Sequence, residues 1–95
     1  MQDKKTYANG QPVYVYDGHR LTYFYKNGRV KAEGPYENEL MEGEWLFYRE
    51  NGQLWQTGHF RGGVKHGAWV RLDREGREEY NEQFADGKQV KKKQA

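Results

Sequence analysis

Ninety-five residues make one small domain, and only fifteen of them are Leu, Val or Phe, with no Ile at all. So thin an aliphatic stock points toward disorder, but a net charge of +2 and 16% aromatic residues point the other way, so the expected core is built from Tyr, Trp and Phe. Twelve Gly disfavour a helical bundle, zero Cys exclude disulfides, thiolate metal sites and a Cys nucleophile, and no apolar run approaches the roughly 18 residues of a membrane-spanning helix.

Taken in chain order, Met1–Gly10 has no apolar centre of the kind an export signal carries, and the expected compartment is the cytoplasm. Residues 6–19, with Asn9-Gly10 and Asp17-Gly18, read as a degenerate hairpin entering a repeat. From Arg20 onward one offset governs the chain. Gly28, Gly52 and Gly76 are 24 residues apart, as are Tyr36, Phe60 and Phe84; Gly34 matches Gly58, Gly43 matches Gly67 and Trp45 matches Trp69. Three copies follow, about 20–43, 44–67 and 68–87, inside a single domain of residues 1–95.

Each copy predicts two strands joined by a tight turn: Lys26-Asn27-Gly28-Arg29, Glu50-Asn51-Gly52-Gln53 and Arg74-Glu75-Gly76-Arg77. A two-residue type I′ turn needs positive φ at both central residues, which Asn tolerates and Glu75 resists. The pattern therefore predicts a three-residue loop, a type I turn closed by a left-handed Gly in a bulge. That choice pairs Arg49 with Gln53, Tyr48 with Leu54 and Trp45 with Thr57. One face then carries Leu46, Tyr48, Leu54, Gly58 and Phe60, with equivalents Thr22, Phe24, Val30, Gly34, Tyr36, Val70, Leu72 and Phe84. It is regular and apolar, and is assigned to the core. The other face carries Trp45, Phe47, Arg49, Trp55 and His59, and Leu21, Tyr23, Tyr25, Lys31 and Glu33.

Residues 88–95 are a basic tail. Without Lys88, Lys91, Lys92 and Lys93 the chain holds twelve basic against fourteen acidic groups. Lysines with no interleaved aromatics make a weak nucleic-acid signal, so a solvated terminus and no specific nucleic-acid partner are expected.

Gly62-Gly63-Val64-Lys65-His66-Gly67-Ala68-Trp69, followed by a strand, Glu75-Gly76 and a strand ending at Phe84, resembles the MORN repeat. More narrowly it is similar to bacterial MORN-repeat-variant proteins labelled antitoxins of toxin–antitoxin pairs. Residues 20–87 carry the likeness, most cleanly from Gly43 to Phe60; the link Glu37-Asn38-Glu39-Leu40-Met41-Glu42 departs from the usual Asn-Gly. The resemblance implies an all-β fold, an open antiparallel meander of stacked hairpins, here six to eight strands. It also implies no enzymatic activity and a protein partner, a toxin under the antitoxin label.

The residues agree that chemistry is absent. His19, His59 and His66 lack the spacing of a metal site, and the many Glu side chains have no enclosure that would separate two pKa values, so no enzyme, metal or cofactor is expected. The sharper signal is aromatic. Positions that recur hold a repeat stack together, whereas positions that break the period are free to specialise. Trp55 aligns with Lys31 and Glu79, Phe47 with Tyr23 and Arg71, and Tyr25 with Arg49 and Asp73. Tyr23, Tyr25, Phe47 and Trp55 are therefore the expected partner-binding anchors; Trp45, which shares their face, and Arg49 join them as partner-binding residues, with Lys31 and Glu33 completing a charged rim. The same rings could instead close into a second small core. Association with an anionic membrane surface and carbohydrate binding are the alternative functions, and an open sheet with free edges also invites self-association into a homo-oligomer.

Overall fold

The computed structural model describes residues 6–90; the lysines at 91–93 lie outside them, and so does the reading given to that run. Ten strands form one antiparallel sheet: β1 (Tyr14–Tyr16), β2 (Arg20–Phe24), β3 (Val30–Glu37), β4 (Leu40–Met41), β5 (Gly43–Tyr48), β6 (Leu54–Arg61), β7 (Val64–Lys65), β8 (Gly67–Leu72), β9 (Glu78–Ala85) and β10 (Lys88–Val90). Eight run in the order β1-β2-β3-β5-β6-β8-β9-β10, and the two-residue strands β4 and β7 pair only with β3 and β6. The fold is the expected all-β open meander, and the short link strands raise the count above the six to eight anticipated.

The turns alternate between two kinds, one at each end of the strands. The loops between β2 and β3, β5 and β6, and β8 and β9 have three residues, as Glu75 required. Arg49 N donates to Gln53 O at 2.8 Å and Gly52 N to Arg49 O at 2.9 Å, with Gly52 at φ 94°; Tyr25–Arg29 and Asp73–Arg77 repeat the pattern. Tyr7–Gln11 is a fourth example, closed by Tyr7 N to Gln11 O at 2.7 Å, so the entering hairpin copies the array's turn. The link turns are tighter. Asn38 and Glu39, Gly62 and Gly63, and Asp86 and Gly87 all hold positive φ, which is the type I′ geometry.

Each long hairpin contains a second irregularity that the turn does not announce. Tyr48 opposes Leu54 as expected, but Phe47 opposes Gln56, leaving Trp55 as an unpaired bulge residue; Lys31 and Glu79 occupy the same place in β3 and β9. Trp45 therefore opposes Gly58, not Thr57. One extra residue exchanges the faces beyond it, which corrects the expected split. Gly34, Tyr36, Gly58, Phe60 and Phe84 share the face of Leu21, Tyr23, Trp45 and Phe47, whereas Leu46, Tyr48 and Leu54 lie on the other side.

The deepest burial is on this Trp face. Leu21, Ala32, Trp45 and Trp69 are its buried apolar residues, Trp45 with no exposed surface, and Tyr14, Tyr23, Tyr36, Met41, Phe47 and Phe60 pack against the Leu21–Ala32–Trp45 cluster. Gly34 and Gly58 lie directly beneath the indoles, where a Cβ would come within 2.3 Å of Trp45 and 2.4 Å of Trp69. Each indole N–H completes the fit by donating to a carbonyl beside that glycine, Trp45 to Pro35 O at 2.8 Å and Trp69 to His59 O at 2.9 Å. Leu21, Gly34, Trp45, Gly58 and Trp69 thus form a row across successive strands. It ends at Glu82, which opposes Trp69 where the earlier copies have Gly.

Candidate aromatic groove

On the Trp face the rings leave a groove of about 300 Å³, lined by Tyr23, Tyr25, Lys31, Ala32, Met41, Trp45, Phe47 and Trp55. Its floor comes from the repeat row. Ala32 opposes both Tyr23 and Phe47, and the small methyl between two large rings makes the depression. Trp45 is wholly buried, so it supports the floor while its neighbours supply the surface. Phe47 is held from two sides, 6.3 Å from the Trp45 ring centre and 5.9 Å from that of Trp69.

Trp55 forms the wall, and the bulge puts it there. As the unpaired residue of β6 it is excused from the alternation that fixes its neighbours. Its counterparts Lys31 and Glu79 share that freedom, which is why this column of the repeat varies in chemistry. The Arg49 guanidinium lies 5.8 Å from the Trp55 ring and that of Arg71 lies 5.4 Å from it; Arg71 also sits 5.1 Å from Tyr80. Lys31 covers Tyr25 at 5.7 Å.

Five of the six residues expected to contact a partner, Tyr23, Tyr25, Phe47, Trp55 and Trp45, therefore converge on one groove. The sixth, Arg49, stands just outside it and donates Nη2 to Leu72 O at 3.1 Å, tying one hairpin to the next. Tyr25 makes the same link one repeat earlier, its hydroxyl donating to Tyr48 O at 2.8 Å. Glu33 does not belong to this rim. It opposes Leu46 on the other face, accepts the Tyr48 hydroxyl at 2.9 Å and lies 3.9 Å from Arg20. Arg71 was missed as a site residue although it occupies the Phe47 position of the third copy, a signal the 24-residue offset supplies. Burial lifts the Tyr23 and Tyr25 hydroxyls above their usual range, helped at Tyr23 by Tyr36 and Tyr14 and at Tyr25 by Glu50, so both stay neutral donors at physiological pH.

Among the described residues no group of three His, Cys, Asp or Glu is placed to hold a metal ion, and no helix is long and apolar enough to cross a membrane. Residues 20–38 and 41–61 match the MORN repeat variant family. The two matched MORN segments are the first two strand pairs of the array, β2–β3 and β5–β6, and together they supply every residue lining the groove. The third copy lies outside the match yet repeats the three-residue turn of the first two and the tryptophan of the second. MORN repeats are non-enzymatic modules that generally bind proteins or membranes. No curated protein and no solved structure matches the chain.

Proposed function

We propose that this protein is a non-catalytic interaction module that docks a partner protein in the aromatic groove. The observation that carries the reading is the set of half-buried rings of Tyr23, Tyr25, Phe47 and Trp55 around an uncovered apolar depression whose one charged lining residue is Lys31. Large rigid rings desolvate a contact at little entropic cost, which is why they dominate binding energy at protein interfaces. The MORN match supports a binding role, and the likeness to antitoxin-labelled proteins extends the proposal to an antitoxin that occludes a toxin sterically.

The test is comparative. Proteins captured from the source cells by the wild-type chain are quantified beside those captured by Trp55→Ala and Phe47→Ala, each variant first shown to be folded by circular dichroism. A partner lost from both variants supports the groove; one retained at full level by both refutes it. Co-expression of the captured partner, with growth as the readout, tests the antitoxin proposal. Sedimentation velocity tests whether the occupant is instead a second copy of the chain.

A further inference from the structure

Resting on the groove as a docking site, we infer that its occupant is an acidic protein segment: an apolar anchor flanked by carboxylates that land on Lys31 at one end and on Arg71 and Arg49 at the other. Three observations lead there. First, the cations of this face are held by rings and not by acids. Lys31 lies over Tyr25, and Arg49 and Arg71 lie over Trp55, with no ion pair to any of the three among the described residues. A guanidinium against a ring uses its flat face and keeps its N–H donors in plane; Arg49 commits Nη2 to Leu72 O and Arg71 places Nη2 3.5 Å from Gln56 Oε1, which leaves Nη1 of each for a carboxylate.

Second, the acids nearby are mostly occupied. The depression beside Trp55 contains Arg49, Arg71 and Arg74 with Asp73, Glu75 and Glu79. Asp73 already accepts the Glu75 and Arg77 amides at 2.9 Å, and Glu75 lies 4.0 Å from the Arg77 guanidinium. Among the described residues none of the three acids pairs with Arg49, Arg71 or Arg74.

Third, the dimensions suit a short extended segment. Lys31 on β3 and Arg71 on β8 are separated by three strand spacings along β3-β5-β6-β8, about 14 Å, which about four or five extended residues span. An apolar groove with Lys31 in its lining and two guanidiniums against its Trp55 wall fits a chain segment better than a flat lipid surface, and an uncharged sugar would leave the guanidinium donors unmatched.

The experiment is a selection from a phage-displayed random 12-residue library on the full-length chain and, in parallel, on Arg71→Glu and Trp55→Ala proteins whose circular dichroism matches wild type. The expected wild-type winners carry an aromatic or large aliphatic residue with Asp or Glu within about five residues. Their Asp→Asn or Glu→Gln versions bind about tenfold more weakly or worse at low salt. Selection on Arg71→Glu exchanges the acids of one flank for Lys or Arg, a reversal that a merely structural arginine would not produce. Winners with apolar anchors but no acids, or with the same acids on Arg71→Glu, overturn the acidic segment while leaving groove docking intact. Failure to enrich any peptide that Trp55→Ala abolishes overturns both. Cosedimentation with phosphatidylserine–phosphatidylcholine vesicles that requires Arg71, with no acidic peptide selected, overturns the protein segment in favour of a membrane.

Discussion

Gly58 shows how much of this molecule is decided by the absence of one methyl group. A Cβ there would lie 2.4 Å from the Trp69 ring, which is itself fixed by its N–H bond to His59 O and by Phe60 at 5.1 Å edge-on. The ring cannot yield without breaking that bond, so Gly58→Ala is expected to cost about 1–3 kcal/mol through overpacking. Gly76→Ala, with φ 83° and nothing within 4 Å of the added atom, carries only the left-handed backbone penalty of about 1–2 kcal/mol. Urea melts of the two variants, with near-ultraviolet circular dichroism to follow Trp69, separate the mechanisms: the indole signal changes in the first and not in the second. Tyr48 gives a prediction of another kind. Burial raises its hydroxyl above the ordinary 10.0, and its hydrogen bond to Glu33 adds to the rise. A raised folded-state pKa means stability is fully present below pH 10.0 and is lost as pH climbs through the folded value, because the unfolded chain ionises first. Tyr48→Phe is expected to flatten that alkaline loss in urea midpoints taken from about pH 9 to about pH 11.

At the scale of the hairpin, the sequence was most readable where backbone geometry restricts residue choice. Glu75 in the third turn ruled out a two-residue loop, and the loops have three. Gly34 and Gly58 recurred at the 24-residue offset, and tryptophans stand over both. The face assignment failed at Trp55 for an equally physical reason. A bulge in mid-strand demands no particular side chain, so Lys31, Trp55 and Glu79 gave no common signal, yet each shifts the register by one. Regular apolar content could not arbitrate either, since one sheet with no covering layer has apolar residues on both faces. Four of the groove's rings, Tyr23, Tyr25, Phe47 and Trp55, were nevertheless identifiable as exceptions to the period, and the bulge that hid the register is also what freed Trp55 to specialise. The link turns supply the prediction at this scale. Glu39 holds φ 64° where the later links place Gly63 and Gly87. Glu39→Gly removes a left-handed strain of about 1–2 kcal/mol and restores some unfolded-chain entropy, leaving an expected net gain of roughly 0.5–1 kcal/mol. The Tm by differential scanning calorimetry checks it, and a lower Tm would show that the Glu39 side chain compensates in the fold.

For the whole molecule, a one-layer array cannot distribute stability evenly. Each hairpin touches only its neighbours, so stability is a sum of hairpin terms and nearest-neighbour terms, and elements flanked on both sides gain most. β5 and β6 are flanked in this way and carry Trp45, the one fully buried large side chain among the described residues. At the ends the support thins: Val15 is 48% exposed on β1, Val90 is 49% exposed on β10, and the indole row has stopped at Glu82. Amide hydrogen exchange is therefore expected to slow from both edges toward β5 and β6, with the paired amides of β10 and β1 opening first. Trp45→Ala, which removes the central indole and its contacts with Phe47 and Phe60, should cost about 3–5 kcal/mol and collapse protection along the entire array, whereas removing Lys88–Val90 should leave β5 and β6 nearly as slow as before. Uniform exchange rates from β2 to β9 would mean that the sheet opens as one unit and that the repeats do not act as separable terms. The gradient also bears on binding, because the groove spans β2 to β6. Under the proposed docking, a surface anchored over the most protected strands would meet its partner with its rings already in place, and fraying of β9 and β10 would reach it only through Tyr80, the ring against which Arg71 of β8 lies.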